Sequence, residues 1–205
     1  MTFTIDAAPL RAALTSALAF VADTDDDPVL TCINIKPVDS GVEIAATDRF
    51  TLSWETVETD GQPFSLLIPS HIVRRLLTML PKGTRRRPLT GAVFFTRDDD
   101  RVTVEYVGGF EEFETAITFT PPDYEGFPDY QAMIARWSEF DPADFVQELH
   151  LNAHYMVRVS KAIAARDFYG PTSVRFRKAR TPVQLSADGF NAIIMPVHIP
   201  ARAES

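Results

Sequence analysis

The chain has 205 residues, 45% of them hydrophobic, enough to bury one large core or two small ones and too many for a disordered tail. Its single cysteine, Cys32, excludes an intrachain disulfide framework, and no apolar run approaches the roughly 18 residues of a membrane span. A formal net charge of -8 argues against an ordinary basic nucleic-acid binder. The first residues lack the basic start and cleavage site of an export signal, so a cytoplasmic location with no membrane partner is expected.

In chain order, helical spacing of Leu10, Leu14, Ala17, Leu18 and Val21 predicts a first helix over about Ala8–Val21. Alternating runs follow at Leu30–Lys36, Val42–Ala46 and Phe50–Glu55. A second helix opens after Ile68-Pro69 with Ser70 as its cap, carries Ile72, Val73, Leu76, Leu77 and Leu80, and stops at Pro81-Lys82-Gly83. Three more runs come next, Ala92–Phe95, Val102–Val107 and Phe113–Phe119. Residues 122–145, rich in Pro, Asp and aromatics, read as a connector packed on the surface. A third helix starts at Asn152, a good N-cap, and shows Tyr155, Met156, Val159 and Ile163. Runs at Val174–Arg177, Val183–Ser186 and Ala192–Val197 follow it. One helix plus about three antiparallel strands therefore occurs three times, a repeat of pattern without a repeat of sequence.

The charges are unevenly spread. Of the 20 Lys and Arg, six lie between Arg74 and Arg87 and seven between Arg158 and Arg180, while Ser70–Val93 holds no acidic residue. Acidic residues gather at Asp23–Asp27, Asp98–Asp100, Glu111–Glu114 and Asp123–Asp144. Such a chain can hold a polyanion on one surface and stay soluble on the others.

Several phrases resemble the bacterial DNA polymerase III beta sliding clamp family. Ala45-Ala46-Thr47-Asp48-Arg49-Phe50-Thr51-Leu52 is similar to that family's Ala-Thr-Asp-Gly-His-Arg-Leu strand and turn. Leu67-Ile68-Pro69 resembles its Ile-Val-Pro helix entry, and Gly126-Phe127-Pro128-Asp129-Tyr130 its Phe-Pro-Asp-Tyr phrase. Leu151-Asn152-Ala153-His154-Tyr155 resembles Phe-Asn-x-x-Tyr, and Met195-Pro196-Val197-His198-Ile199 resembles the C-terminal Met-Pro-x-Arg-Leu. The five occur in the family's order. The resemblance implies an α+β DNA-clamp fold of repeated helix-plus-antiparallel-strand modules, sheets outside and helices on the inner face. It implies a domain at residues 1–130 like the middle clamp domain, with modules at 1–63 and 64–121. A connector at 131–145 and a half-domain at 146–205, like the last clamp module, complete the chain.

Two working surfaces follow from the resemblance. Cations on the inner helices, Arg74, Arg75, Lys82, Arg85, Arg86, Arg158 and Lys161, are expected to contact the phosphates of encircled double-stranded DNA without reading its bases. A peptide pocket for polymerase and clamp-loader motifs is expected at Leu30, Thr47, Phe50, Leu52, Pro69, Val73 and Leu76 on one wall. Asn152, Tyr155, Pro182, Ile193, Met195, Pro196 and Val197 make the other. Arg49-Phe50-Thr51 departs from Gly-His-Arg and His198 from the penultimate Arg, so the preferred motif is expected to differ.

Catalysis is not expected. His150 and His154 stand four apart, but Asn152 between them is the cap, which separates them onto different elements. The aspartate runs Asp25–Asp27 and Asp98–Asp100 fall at turns, where Asp is common for backbone reasons. There is no phosphate loop, nucleophile elbow or Cys–His signature, so no cofactor, metal or enzyme activity is expected. The expected function is a processivity factor tethering a polymerase; the alternative is a clamp-like adaptor or decoy that forms no ring. The family's rings hold twelve modules, so a homo-oligomer is expected. A tetramer closed by contacts between third modules and between module-one edges fits best, with a dimer as its half-ring.

Overall fold

A computed structural model describes residues 1–23, 26–84, 86–108, 113–124, 126–138, 149–166, 170–176 and 181–197. Strand β1 (Thr2–Asp6) runs straight into α1 (Ala7–Leu18), and a 3-10 turn at Pro28–Thr31 leads to the meander β2 (Cys32–Val38), β3 (Gly41–Thr47) and β4 (Thr51–Val57). The two-residue β5 (Asp60–Gly61) and β6 (Leu66–Pro69) precede α2 (Ser70–Met79), which is followed by β7 (Ala92–Asp98), β8 (Arg101–Gly108) and β9 (Phe113–Phe119). Helix α3 (Tyr130–Ser138) lies within the expected connector. Last come α4 (Ala153–Ala164), β10 (Ser173–Arg175), β11 (Val183–Ala187) and β12 (Phe190–Ile194).

The strands form two antiparallel sheets, ordered β5-β1-β7-β8-β9 and β10-β11-β12-β4-β3-β2-β6. The lead strands of the first two helices are exchanged. β1, which enters α1, pairs with β7, whereas β6, which enters α2, pairs with β2. Each of the first two helix-and-meander modules thereby contributes a strand to the other's sheet. One core runs through both sheets, with Leu10 and Leu14 of α1, Val73 and Leu76 of α2, Ile33, Ile35 and Ile44 on one side and Phe95, Val104 and Tyr106 on the other. Each such side chain taken out of water contributes roughly 1.5–3 kcal/mol, which is why these stripes decide the packing.

Local chemistry shapes the ends. Arg11 of α1 donates through Nη1 to the carbonyls of Leu77 and Leu80, at 2.6 and 2.7 Å, so a cation sits on the C-terminal end of α2. The β11–β12 hairpin turns on Asp188-Gly189, both at positive φ (48° and 76°), as a two-residue turn with the strand twist requires. Module three joins the first module strand to strand, since β12 pairs with β4 from Asn191↔Trp54 to Ile194↔Thr51. Its helix adds Val159 and Ala162 to the common core.

Helix α3 covers the opposite face of this sheet. On β3, Val42, Ile44 and Ala46 face the main core, while Ala45 joins Leu52, Ile193 and Tyr130 in a second cluster on the far side, with Trp54, Phe127, Met133 and Ile134 packed against it. Strand β3 is consequently buried along its whole length. Two sheets with α1, α2 and α4 on the core side make an α+β arrangement.

Candidate functional site

The turn between β3 and β4 is tied by its own side chains. Asp48 Oδ1 accepts from the Phe50 N–H (3.1 Å), the Thr51 N–H (2.7 Å) and Thr51 Oγ1 (2.8 Å). Thr47 Oγ1 donates to the Thr51 carbonyl at 2.7 Å, and Arg49 takes a φ of 76°. These bonds satisfy a backbone that leaves the ladder, and they hold the Phe50 side chain outward at 56% exposure.

Helix α4 meets this turn. Asn152 caps it, its Oδ1 accepting from the His154 N–H at 2.9 Å, and the cap sets Tyr155 against Phe50, ring centroids 6.2 Å apart and nearly parallel. The Met195 N–H donates to the Phe50 carbonyl at 3.0 Å, and the Val197 N–H to the His150 carbonyl at 2.8 Å. Leu149, His150, Leu151, Asn152, Met156 and Val197 line an open depression of about 600 Å³ beside these residues. With Met156 at 47% and Val197 at 43% exposure, Phe50, Tyr155, Met156 and Val197 form an apolar surface beside a depression whose polar groups include Asn152. Such a surface suits a short hydrophobic peptide.

The structure sorts the expected pocket residues. Phe50, Asn152, Tyr155, Met195 and Val197 come together as described, and Pro196, partly buried, lies between the last two. Thr47, at 6% exposure, ties the turn through its hydroxyl, and Leu30, at 3% exposure in the 3-10 turn, is buried and offers a ligand no surface. Leu52 and Ile193, expected on opposite walls, pair across β4 and β12, but at 2% and 4% exposure they pack against Tyr130 and are covered by the connector helix. Val73 and Leu76 are corrected outright. Both are buried in the main core, where α2 packs on its sheet, and offer a ligand no surface. Pro69 ends β6 opposite Cys32, and Pro182 precedes β11, each partly buried. The connector residues Phe127, Tyr130, Met133 and Ile134 were missed. Tyr130, Met133 and Ile134 stand at helical spacing after Asp129, whose Oδ1 accepts from the Ala132 N–H at 3.1 Å, a cap legible in the sequence.

Helix α4 and the residues just after it carry two buried ion pairs across the seam, Arg158 on the helix and Arg166 two residues past its end. Arg158 Nη1 binds Asp48 Oδ2 and donates to Thr51 Oγ1 at 3.2 Å, with both charged side chains at most 15% exposed. Two turns on, Arg166 grips Glu55 with two bonds of 2.6 and 2.5 Å and donates to the Asp188 carbonyl at 3.3 Å. Burial raises the Glu55 carboxyl above its ordinary range, and the hydrogen bond and charge of Arg166 pull it back down. Arg158 was expected on the nucleic-acid face; its guanidinium is committed to the seam instead, and that expectation is corrected.

The remaining expected cations stay on the surface. Arg74, Arg75, Lys82, Arg86 and Lys161 are exposed, Arg74 also donating to Ser70 Oγ at 3.1 Å; Arg85 lies outside the described residues. Ala8, Arg11, Ala12 and Thr15 of α1, Lys82 to Thr84 and Leu89 after α2, and Ala165 and Arg166 at the end of α4 line one groove of about 820 Å³. Lys161 precedes Ala165 by one helical turn and so faces the same side. Among the described residues, no group of three or more His, Cys, Asp or Glu could hold a metal ion, and no helix is long and apolar enough to cross a membrane.

No protein-family model and no curated protein sequence matches the chain. Solved structures do match. The DNA polymerase sliding clamp of Bacillus subtilis superposes with a TM-score of 0.72 at 15% identity, over 97% of this chain and 64% of that one. The sliding clamp of Pseudomonas aeruginosa gives 0.71 at 14% identity, over 97% and 67%. The Helicobacter pylori beta clamp bound to a DNA ligase peptide gives 0.68 at 15%, over 96% and 66%. The chain therefore has the DNA-clamp fold and spans about two thirds of the length of these clamps.

Proposed function

We propose that this chain is a subunit of a DNA sliding clamp, a cytoplasmic processivity factor that encircles duplex and tethers a polymerase without chemistry of its own. The observation that carries the reading is the clamp fold over 97% of the chain. In this reading residues 1–130 act as a clamp domain, 131–145 as its connector and 146–205 as a half-domain. The groove flanked by Lys82 and Lys161, with Arg74, Arg75 and Arg86 on the same basic elements, takes phosphate oxygens. Such contacts carry no sequence information, so the protein slides, and each one lost lowers the salt dependence by about 0.9 in log–log slope.

Partner peptides dock on the Phe50, Tyr155 and Met195 surface, with the connector helix as a further wall; the Helicobacter pylori clamp holds a DNA ligase peptide. Polymerase and clamp-loader peptides are the partners of this chemistry. The withdrawal of Arg158 from the expected DNA face into the seam favours a second reading, an adaptor that binds such peptides but closes no ring. Retention on DNA separates the two. A clamp loaded on a nicked circle stays through a high-salt wash and leaves when the circle is cut, because only topology holds it. Equal loss from circular and linear DNA, with peptide binding intact, establishes the adaptor and ends the clamp reading.

A further inference from the structure

The Phe50 and Tyr155 rings belong to different modules. Phe50 sits in the turn between β3 and β4 and Tyr155 in the first turn of α4, yet their ring planes lie within 15° of parallel at 6.2 Å. Phe50, 56% exposed, joins neither buried core cluster, so packing does not fix where its ring stands. One exposed ring pair is too weak a contact to hold a turn and a helix in register. The bond from the Met195 N–H to the Phe50 carbonyl ties the turn to the end of β12, not to α4. Another group must fix the helix against the turn.

Arg158 supplies that link. It stands three residues after Tyr155 on α4, hence on the same face, with its guanidinium carbon 5.5 Å from the Tyr155 ring centroid. From there Nη1 binds Asp48 Oδ2 and donates to Thr51 Oγ1 at 3.2 Å. The two oxygens of Asp48 divide the work. Oδ1 accepts from the Phe50 N–H, the Thr51 N–H and Thr51 Oγ1, which folds the turn, and Oδ2 binds the helix. One carboxylate thus shapes the Phe50 turn, and one guanidinium holds it against Tyr155. The Arg158 and Asp48 side chains are 15% and 11% exposed, so salt screens the pair poorly. Arg49, next to Phe50 in sequence, is bound to Asp27 at 2.9 Å instead.

Resting on the peptide reading above, we propose that Arg158 is a positioning residue of the peptide surface. It sets the Phe50 turn and Tyr155 in one register, so that the two rings meet a partner peptide as a single aromatic face. The role needs a guanidinium. A planar, delocalised cation can lie over a ring while its edge nitrogens bond a carboxylate, whereas an ammonium is a point charge with no face to stack. Arg158→Lys therefore keeps a charge opposite Asp48 and loses the hold on Tyr155.

A double-mutant cycle on the full chain tests this, read by calorimetry with a clamp-motif peptide and with circular dichroism as the check on folding. Phe50→Ala and Arg158→Lys are each expected to weaken the peptide about fivefold, and the double variant no more than Phe50→Ala alone, because Arg158 acts through the ring. A residue that merely stabilises the fold would lower the melting temperature without that non-additivity. Asp48→Asn keeps Oδ1 as the acceptor of the turn and removes the charge facing Arg158. It is expected to repeat the pattern, and it serves in place of Arg158→Lys should that variant not fold. A second measurement needs no peptide: nuclear Overhauser contacts between the Phe50 and Tyr155 rings are expected to weaken in Arg158→Lys. Losses that add in the double variant, or ring contacts that ignore Arg158→Lys, overturn the proposal. A wild type that binds no peptide ends the peptide reading, and the ring contacts then decide the role of Arg158 alone.

Discussion

Glu55 and Arg166 are each about nine-tenths buried and bound to one another twice, so neither charge has an alternative partner in water. Removing the guanidinium leaves a buried carboxylate uncompensated, and Arg166→Ala is expected to cost about 3–5 kcal/mol. The sign of the pH effect follows from burial. With its pKa raised above the unfolded value, Glu55 favours folding most at low pH, and that contribution is lost as pH rises through the raised value. Arg166→Ala removes both effects that lower the pKa, so its stability deficit should be larger near about pH 8 than near about pH 5 in urea melts. A deficit independent of pH would mean that solvent reaches Glu55. Arg158 behaves differently from the surface cations for the same reason. Lys82→Glu with Lys161→Glu is expected to weaken DNA binding and flatten its salt dependence at unchanged stability, whereas Arg158→Glu should unfold the seam first. The sequence placed all three on basic elements; it could not show that Asp48 and Thr51 close around one of them, because that contact spans residues 110 and 107 positions apart.

At the scale of elements, α1, α2 and α4 were legible from their apolar stripes, but the expected Ser70 cap is corrected: Ser70 is the first residue of α2, Pro69 holds the cap position, and no side chain caps that helix. Asn152 caps α4 as expected, and the meanders fall within a few residues of their alternating runs. Two things were hidden. β1 and β6 are short, and their partners lie in another module, so no local signal marks their exchange. α3 was masked by the Pro- and Asp-rich composition around it, although Tyr130, Met133 and Ile134 keep helical spacing. Val73 and Leu76 were misplaced because a family's pocket wall and a buried helix stripe look alike in sequence. The helix also does more than connect. The Tyr130 hydroxyl donates to Glu43 Oε1 at 2.5 Å and Gln131 Nε2 donates to the same oxygen at 2.8 Å, which pins α3 onto the sheet. Burial and the Glu43 carboxylate push the Tyr130 hydroxyl far above its usual range, so it remains a donor at any ordinary pH. Tyr130→Phe should therefore cost about 1–3 kcal/mol by removing one of the two donors to a buried acceptor, and should raise proteolysis of the connector. Phe50→Ala with Met195→Ala is expected to weaken a clamp-motif peptide by more than about tenfold in calorimetry. Unchanged affinity in the folded double variant would place the peptide elsewhere.

For the whole molecule, the decisive pairing is β4 with β12, because it occupies an edge that the sequence reading had reserved for ring closure. Last strand meets last strand there, antiparallel, and among the described residues the last strand left with an open side is β9. The proposed ring must then close through β9, not through module one. A two-fold at β9 and the two-fold at module three alternate around a ring, and four chains of three modules supply the twelve of the clamp family. The outward positions on β9, Ala116 and Thr118, are exposed, and they would lie close to their symmetry mates across such an axis. Ala116→Lys with Thr118→Lys sets like charges face to face at the edge without touching Ile117 or Phe119, which point into the core. Light scattering should read about 92 kDa for the wild type, four times 22.9 kDa, and about 46 kDa for the β9 variant. Topological retention on circular DNA should vanish in the β9 variant while peptide binding persists. A β9 variant that keeps the full mass would show that the ring, if one forms, closes through a different edge.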